Sequence, residues 1–146
     1  MNVNRIAPLF TRPLGTDFLP TLMRIFLGVL LISHGSDKVF NGMDKMIAEL
    51  TALGWPMPTL QAFLAAYIEF AGGVLLIVGL LTRPAAVAVS VLFSIIYFVF
   101  SAADPFARKE KALIFLVLAV YVFLTGPGKA SVDALLFKKT ATPAKD

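Results

Sequence analysis

One carboxyl group, Glu69, stands in the middle of residues 61–81, a run that is otherwise almost wholly apolar and long enough to cross a bilayer. An ionisable side chain in hydrocarbon costs about 3 kcal/mol or more, so it faces a protein interior, takes a partner and often does chemistry. Four other side chains are candidates to meet it: His34, Lys38, Tyr97 and Glu110. Lys38 can neutralise the carboxylate. Imidazole titrates near neutrality, so His34 can share a proton with Glu69. Tyr97 can donate a hydrogen bond to either. Such a set can relay protons or hold the head of a quinone by its carbonyl oxygens. In that scheme Glu69 accepts the proton, His34 is its proton partner, and Lys38 and Tyr97 orient the ligand. Two other readings use the same residues: a structural ion pair that fixes helix register, and ion or solute transport.

The neighbours of Glu69 say which way it points. Ala62, Ala65, Ala66, Gly72 and Gly73 lie seven, four and three residues before it and three and four after it. At helical spacing they share its face. Small residues let membrane helices approach closely, so Glu69 should point at another helix. Arg24, Gly28, Leu31, Gly35 and Lys38 form a similar stripe, with His34 one turn before Lys38. Ser90, Ser94, Tyr97 and Ser101 form a third. At about 1.5 Å per residue, Glu69 lies roughly 12 Å below the start of its helix and Tyr97 about 9 Å below the end of its own. His34, Lys38, Glu69, Tyr97 and Glu110 therefore fall in the same half of the assembly. Arg24 and Arg83 fall at the opposite end and read as structural or topological residues. Arg83 could also cap the end of the second helix, where a cation suits the helix dipole.

Composition narrows the function classes. The chain has 146 residues, 58% of them hydrophobic and 15% charged, with a mean hydropathy of +0.84. A soluble domain carries about 25% charged residues. There is no cysteine, so this chain alone offers no disulfide, thiolate catalysis or cysteine metal ligation. One histidine and no HxxxH or ExxH spacing make a poor metal-ligand set. Gly72-Gly73 lies inside a helix and reads as packing, not as a phosphate loop. The net charge of +4 reads as membrane topology rather than nucleic-acid binding. Arg5, Arg12, Arg24, Arg83, Lys129, Lys138, Lys139 and Lys145 fall on one side. The smaller set of Lys38, Lys45, Arg108, Lys109 and Lys111 falls on the other. The bias places both termini in the cytoplasm. No cleavable signal peptide is expected, because the first apolar run follows Pro8, Pro13 and Pro20 and continues for a full span.

The elements that must position these residues follow from the apolar runs and their breakers. The fold class expected is all-α: an integral membrane four-helix bundle forming one domain over residues 1–146. Its helices should occupy about residues 21–40, 60–81, 85–103 and 108–125. Thr16 or Asp17 is placed to cap the first helix. Asn41-Gly42 should break it. Met43, Met46, Ile47, Leu50 and Leu53 then recur at helical spacing, which predicts a short amphipathic helix at the interface between helices 1 and 2. Trp55 fits the headgroup belt. Asp104-Pro105 and Gly126-Pro127-Gly128 should end the third and fourth helices, and the tail over 138–146 is expected to be disordered. The lipid bilayer is the partner implied throughout. Sequence assigns no oligomeric state.

Three segments together resemble the DoxX family of small bacterial membrane proteins. They are Arg24-Ile-Phe-Leu-Gly28 leading to His34-Gly35-Ser-Asp-Lys38; Glu69-Phe-Ala-Gly-Gly73 leading to Gly79-Leu-Leu-Thr-Arg83; and Glu110 leading to Gly126-Pro-Gly-Lys-Ala-Ser-Val-Asp133. Their order and spacing cover about residues 20–136. The resemblance implies a four-helix protein of the bacterial cytoplasmic membrane. His34, Lys38, Glu69, Arg83 and Glu110 match the family's polar positions. The family takes its name from a subunit of a terminal quinol oxidase, and other members are linked to membrane oxidoreductase assemblies. The resemblance thus implies a subunit or accessory of a redox system, either non-catalytic or quinone-linked, with other membrane or redox subunits as partners. Nothing in the sequence resembles a haem, iron–sulfur or copper site, so electron transfer would call on a quinone or a partner subunit. A structural or assembly protein and a small permease remain the alternatives.

Overall fold

The computed structural model describes residues 18–137, and every regular element among them is helical. The expected cap at Thr16 or Asp17 and the tail from Lys138 lie outside the described residues. Helix α1 (Leu19–Asp37) opens with Pro20 in its first turn, where the missing N–H costs nothing. A π-helical turn, Lys38–Gly42, joins it to α2 (Met43–Ala52). The expected break at Asn41-Gly42 does not occur. Gly42 keeps a negative φ of −111°, so nothing reverses the chain, and the wide turn absorbs the irregularity. The result is one continuous helical run, Leu19–Ala52.

Helix α3 (Pro58–Val78) starts after Met57, whose φ is 52°, and ends at Gly79, φ 74°. The sequence reading carried this helix to residue 81. It stops earlier because Gly79 takes the left-handed conformation and the Leu80 N–H reaches back to Leu75 O at 3.0 Å, the six-to-one bond of a Schellman ending. Helix α4 (Thr82–Ile95) follows directly after Leu81, φ 50°. Pro84 sits in its first turn, so the helix begins earlier than the expected residue 85. A second π turn, Ile96–Phe100, finishes it. Helix α5 (Phe106–Thr125) stops at Gly126, φ 80°. A short helix, α6 (Val132–Phe137), closes the described segment.

Three helical runs are long and apolar enough to cross a membrane: Leu19–Ala52, Pro58–Val78 and Thr82–Phe100. Helix α5 has the length, but Arg108, Lys109, Glu110 and Lys111 fill its first turns. Helix α1 packs most closely on α3, and α4 on α5; the two hairpins meet through α3–α4 and α1–α5. The shared core draws on all four helices: Leu27 and Leu31, Leu76, Val89 and Phe93, Phe115 and Ala119.

The small-residue face read from the sequence is the buried face of α3: Ala62, Ala65, Ala66, Glu69, Gly72 and Gly73 all lie inside. The α1–α3 contact is a backbone-to-backbone approach. A Cβ on Gly28 would stand 2.8 Å from Gly73 O, and one on Gly35 would stand 2.6 Å from the Phe70 N. Neither neighbour is a flexible side-chain end, so the helices themselves would have to part. Gly35→Ala is accordingly expected to destabilise the protein by about 1–3 kcal/mol. Its thermal midpoint in detergent should fall, and an unchanged midpoint would contradict the close approach described.

Candidate functional site

Lys38 and Glu69 form an ion pair between the last turn of the α1 stripe and the middle of α3. The Lys38 Nζ lies 2.6 Å from Glu69 Oε1 and 2.7 Å from Oε2. The carboxylate side chain is 1% exposed, and the lysine side chain 32%. The geometry follows from the packing around it. Gly35, one turn before Lys38, rests on the backbone of Glu69 and Phe70. That contact sets the helix separation, and Lys38 then reaches the carboxylate at short range. Lys38 is also the first residue of the π turn. Phe40 closes over the edge of Phe70, with ring centres 5.9 Å apart.

An ammonium has three N–H groups. Two are matched by the carboxylate oxygens, which leaves one for another acceptor. The pair is neutral as a unit and anchored from the buried side, so it can present a hydrogen-bond donor without exposing a lone charge to hydrocarbon.

The other sequence candidates take separate places. His34 is exposed and lies against Phe115, ring centres 5.3 Å apart. Phe115 in turn stacks on Phe93 at 4.6 Å. No hydrogen bond joins His34 or Tyr97 to Glu69 among the described residues. Tyr97 is half-buried at the end of α4, with the Lys109 Nζ 5.1 Å from its ring centre. Glu110 is exposed and has no ion pair among the described residues. The five groups expected to converge therefore resolve into one bonded pair, Lys38–Glu69, a histidine one turn away on an aromatic wall, Tyr97 under the Lys109 ammonium, and an exposed Glu110.

A second polar cluster lies at the opposite end of the helices. Arg24, expected there as a topological residue, is fully buried. Its Nη1 donates to the carbonyls of Leu76 and Ile77, the latter at 2.9 Å. Its Nη2 donates to Ala130 O at 2.6 Å. Arg24 thus performs the helix-capping role weighed for Arg83, satisfying the last carbonyls of α3. Arg83 is exposed instead and runs alongside Gly126.

Asp133 caps the other side of the same turn. Its carboxylate accepts the N–H of Leu81 at 2.9 Å and of Thr82 at 2.8 Å, the first donors of α4. Burial alone would push this carboxyl up; the hydrogen bonds from Thr82 and Leu81 and the nearby Arg24 charge outweigh it and hold the group below its ordinary range. The α3–α4 turn is therefore held by a cation on its carbonyl side and an anion on its N–H side. The Arg24 Nε and Thr82 Oγ1 are buried with no partner in hydrogen-bond geometry. Sequence reasoning left Asp133 without a role. Its signal was there: Asp133 follows Lys129 closely at an end rich in lysine and arginine.

The family model described as DoxX matches residues 19–102 of this chain. An uncharacterized protein of Haemophilus influenzae is 34% identical over 124 residues, covering 80% of this chain and 90% of that protein. A Bacillus subtilis protein named "Putative oxidoreductase CatD" is 32% identical over 118 residues, covering 80% of this chain and 86% of its own length. An Escherichia coli protein named "Inner membrane protein YqjF" is 30% identical over 128 residues, at 80% and 90% coverage. No solved structure matches.

Proposed function

Because the chain belongs to the DoxX family, whose relatives include named inner membrane proteins, we propose that this membrane protein is a subunit or accessory of a quinone-linked oxidoreductase. We place it in the cytoplasmic membrane with both termini inside, and we take α5 as a fourth span that completes a bundle. The observation that carries the reading is the buried, neutral Lys38–Glu69 pair with one ammonium N–H left over.

The residues present fit a quinone head. Lys38 supplies a donor for a carbonyl oxygen, and Glu69 holds that donor in place. His34, one turn away, can hold or pass a proton at its imidazole. Behind it, the buried Phe115 and Phe93 form an aromatic backing that fixes the imidazole's place. When bound, a quinone would take up two electrons and two protons; a partner subunit would supply the electrons. The name of the Bacillus subtilis relative supports a redox setting.

The test is quinone binding by purified protein in lipid nanodiscs. Glu69→Gln should leave the fold intact and weaken binding about tenfold or more, through loss of the charge that positions Lys38. Equal binding by both proteins would sink the proposal. A second reading, a purely structural ion pair, is favoured by the completeness of the enclosure, since Glu69 is buried and both its oxygens are bonded. On that reading no quinone binds either protein, and Glu69→Gln lowers only stability.

A further inference from the structure

Helix α6 follows the last long helix by a short loop, yet it is fixed in place. The Asp133 N–H donates to Gly79 O at 2.9 Å, and its carboxylate takes the N–H groups of Leu81 and Thr82. Gly128 packs directly on Thr21, and Ser131 on Gly79. These contacts hold α6 level with the turn between Pro58–Val78 and Thr82–Phe100, two runs apolar enough to span. With both runs spanning, as the proposed function has them, that turn lies at the bilayer surface.

At that level α6 shows two leucines that no described residue covers: Leu135 is 72% exposed and Leu136 58%. Phe18, at the start of α1, is 65% exposed at the same end. Among the described residues, the exposed charges at this end are of one sign. They are Arg83 and Lys129. Asp133, the acid at this end among the described residues, is buried in the turn. Apolar side chains at the depth where spans end, with exposed cations at the same end, match the acyl–headgroup boundary of an anionic bilayer.

We infer that α6 is an interfacial anchor: Leu135 and Leu136 enter the acyl boundary of the membrane that holds the chain, while the exposed cations bind anionic headgroups. The Asp133 contacts then tie that anchor to the α3–α4 turn. The membrane surface, rather than a second protein, is the partner of this face. The inference is independent of whether a quinone binds at the other end.

The chain has no cysteine, so Leu136→Cys introduces one labelling site on the full-length protein. An environment-sensitive fluorophore there is read in vesicles of phosphatidylglycerol and phosphatidylethanolamine, then in vesicles of phosphatidylcholine alone. Quenchers are brominated acyl chains in the lipid and iodide in the water. Emission of Trp55, the single tryptophan, checks that the labelled protein keeps its fold. The expected result is strong lipid-phase quenching and little iodide quenching in the anionic vesicles. The ratio of the two should fall about five-fold in phosphatidylcholine, the change one surface cation confers. A label open to iodide in both vesicles would overturn the inference. So would shielding from both quenchers, which would assign the face to another protein copy, or shielding that ignores headgroup charge.

Discussion

Lys38→Met is expected to lower stability by about 3 kcal/mol, because it strands a carboxylate that the protein encloses. The reverse change should cost far less. Glu69 is 1% exposed and Lys38 32%, so the ammonium left by Glu69→Gln can turn outward to water or headgroups, at about 1 kcal/mol for the lost bonds. The double variant Lys38→Met with Glu69→Gln has no buried charge and should recover most of the loss from Lys38→Met alone. Thermal midpoints of the four proteins in one detergent measure this cycle. Equal losses for the two single changes, or simple addition in the double, would mean that the pair is not coupled as described. The order of effects also separates stability from function. Glu69→Gln and the double variant should both remain folded, so a ligand lost from either is lost from the site and not from the fold.

The second large effect belongs to the α3–α4 turn. Arg24→Leu removes three bonds to the buried carbonyls of Leu76, Ile77 and Ala130. Each acceptor stripped of its partner costs about 1–3 kcal/mol, so this substitution should compromise folding more than any change at Lys38. Asp133→Asn is milder, because one side-chain oxygen still accepts an N–H while the amide nitrogen opposes the other; about 1–3 kcal/mol is expected. It also carries a pH signature. The Asp133 carboxyl is held below its ordinary value by bonds from Thr82 and Leu81 and by Arg24, against the upward push of burial. A depressed folded value means that the stabilisation is complete above the unfolded value, about pH 4. It is lost as pH falls through the folded value. The gap in thermal midpoint between the wild type and Asp133→Asn should therefore be widest near neutrality and narrow on acidification below about pH 4. A gap that widens on acidification would contradict the assignment.

Much of the helical framework was legible because its signals are local. Residues 61–81 announced a span by composition, and Ala62, Ala65, Ala66, Gly72 and Gly73 gave its buried face by spacing alone. Lys38 and Glu69 could be matched because each lay on a small-residue stripe, and close helices bring such stripes together. The misreadings had other causes. Asn41-Gly42 carries the usual signature of a break, but a π turn satisfies the same backbone without reversing it. Whether His34 turns toward Glu69 or Phe115 depends on the rotation of α1 against α5, which spacing along one helix does not fix. Arg24 was read as a structural or topological residue from its position near a span's end, with no partner named. Its burial comes from the segment after α5, where Ala130 of the loop and Asp133 of α6 fold back over it. A contact across more than a hundred residues leaves no periodic trace, and only an acid among the cations, Asp133, hinted at it.

The measurement that bears most directly on the central claim is extraction of the protein from native membranes in mild detergent, followed by mass spectrometry of small molecules and proteins that come with it. The double variant Lys38→Met with Glu69→Gln is the control, since it should stay folded while lacking both groups of the site. The account predicts a stoichiometric quinone with the wild type, lost from the double variant, and a redox partner retained by both. A wild type that carries no quinone, or a double variant that carries as much as the wild type, would contradict it.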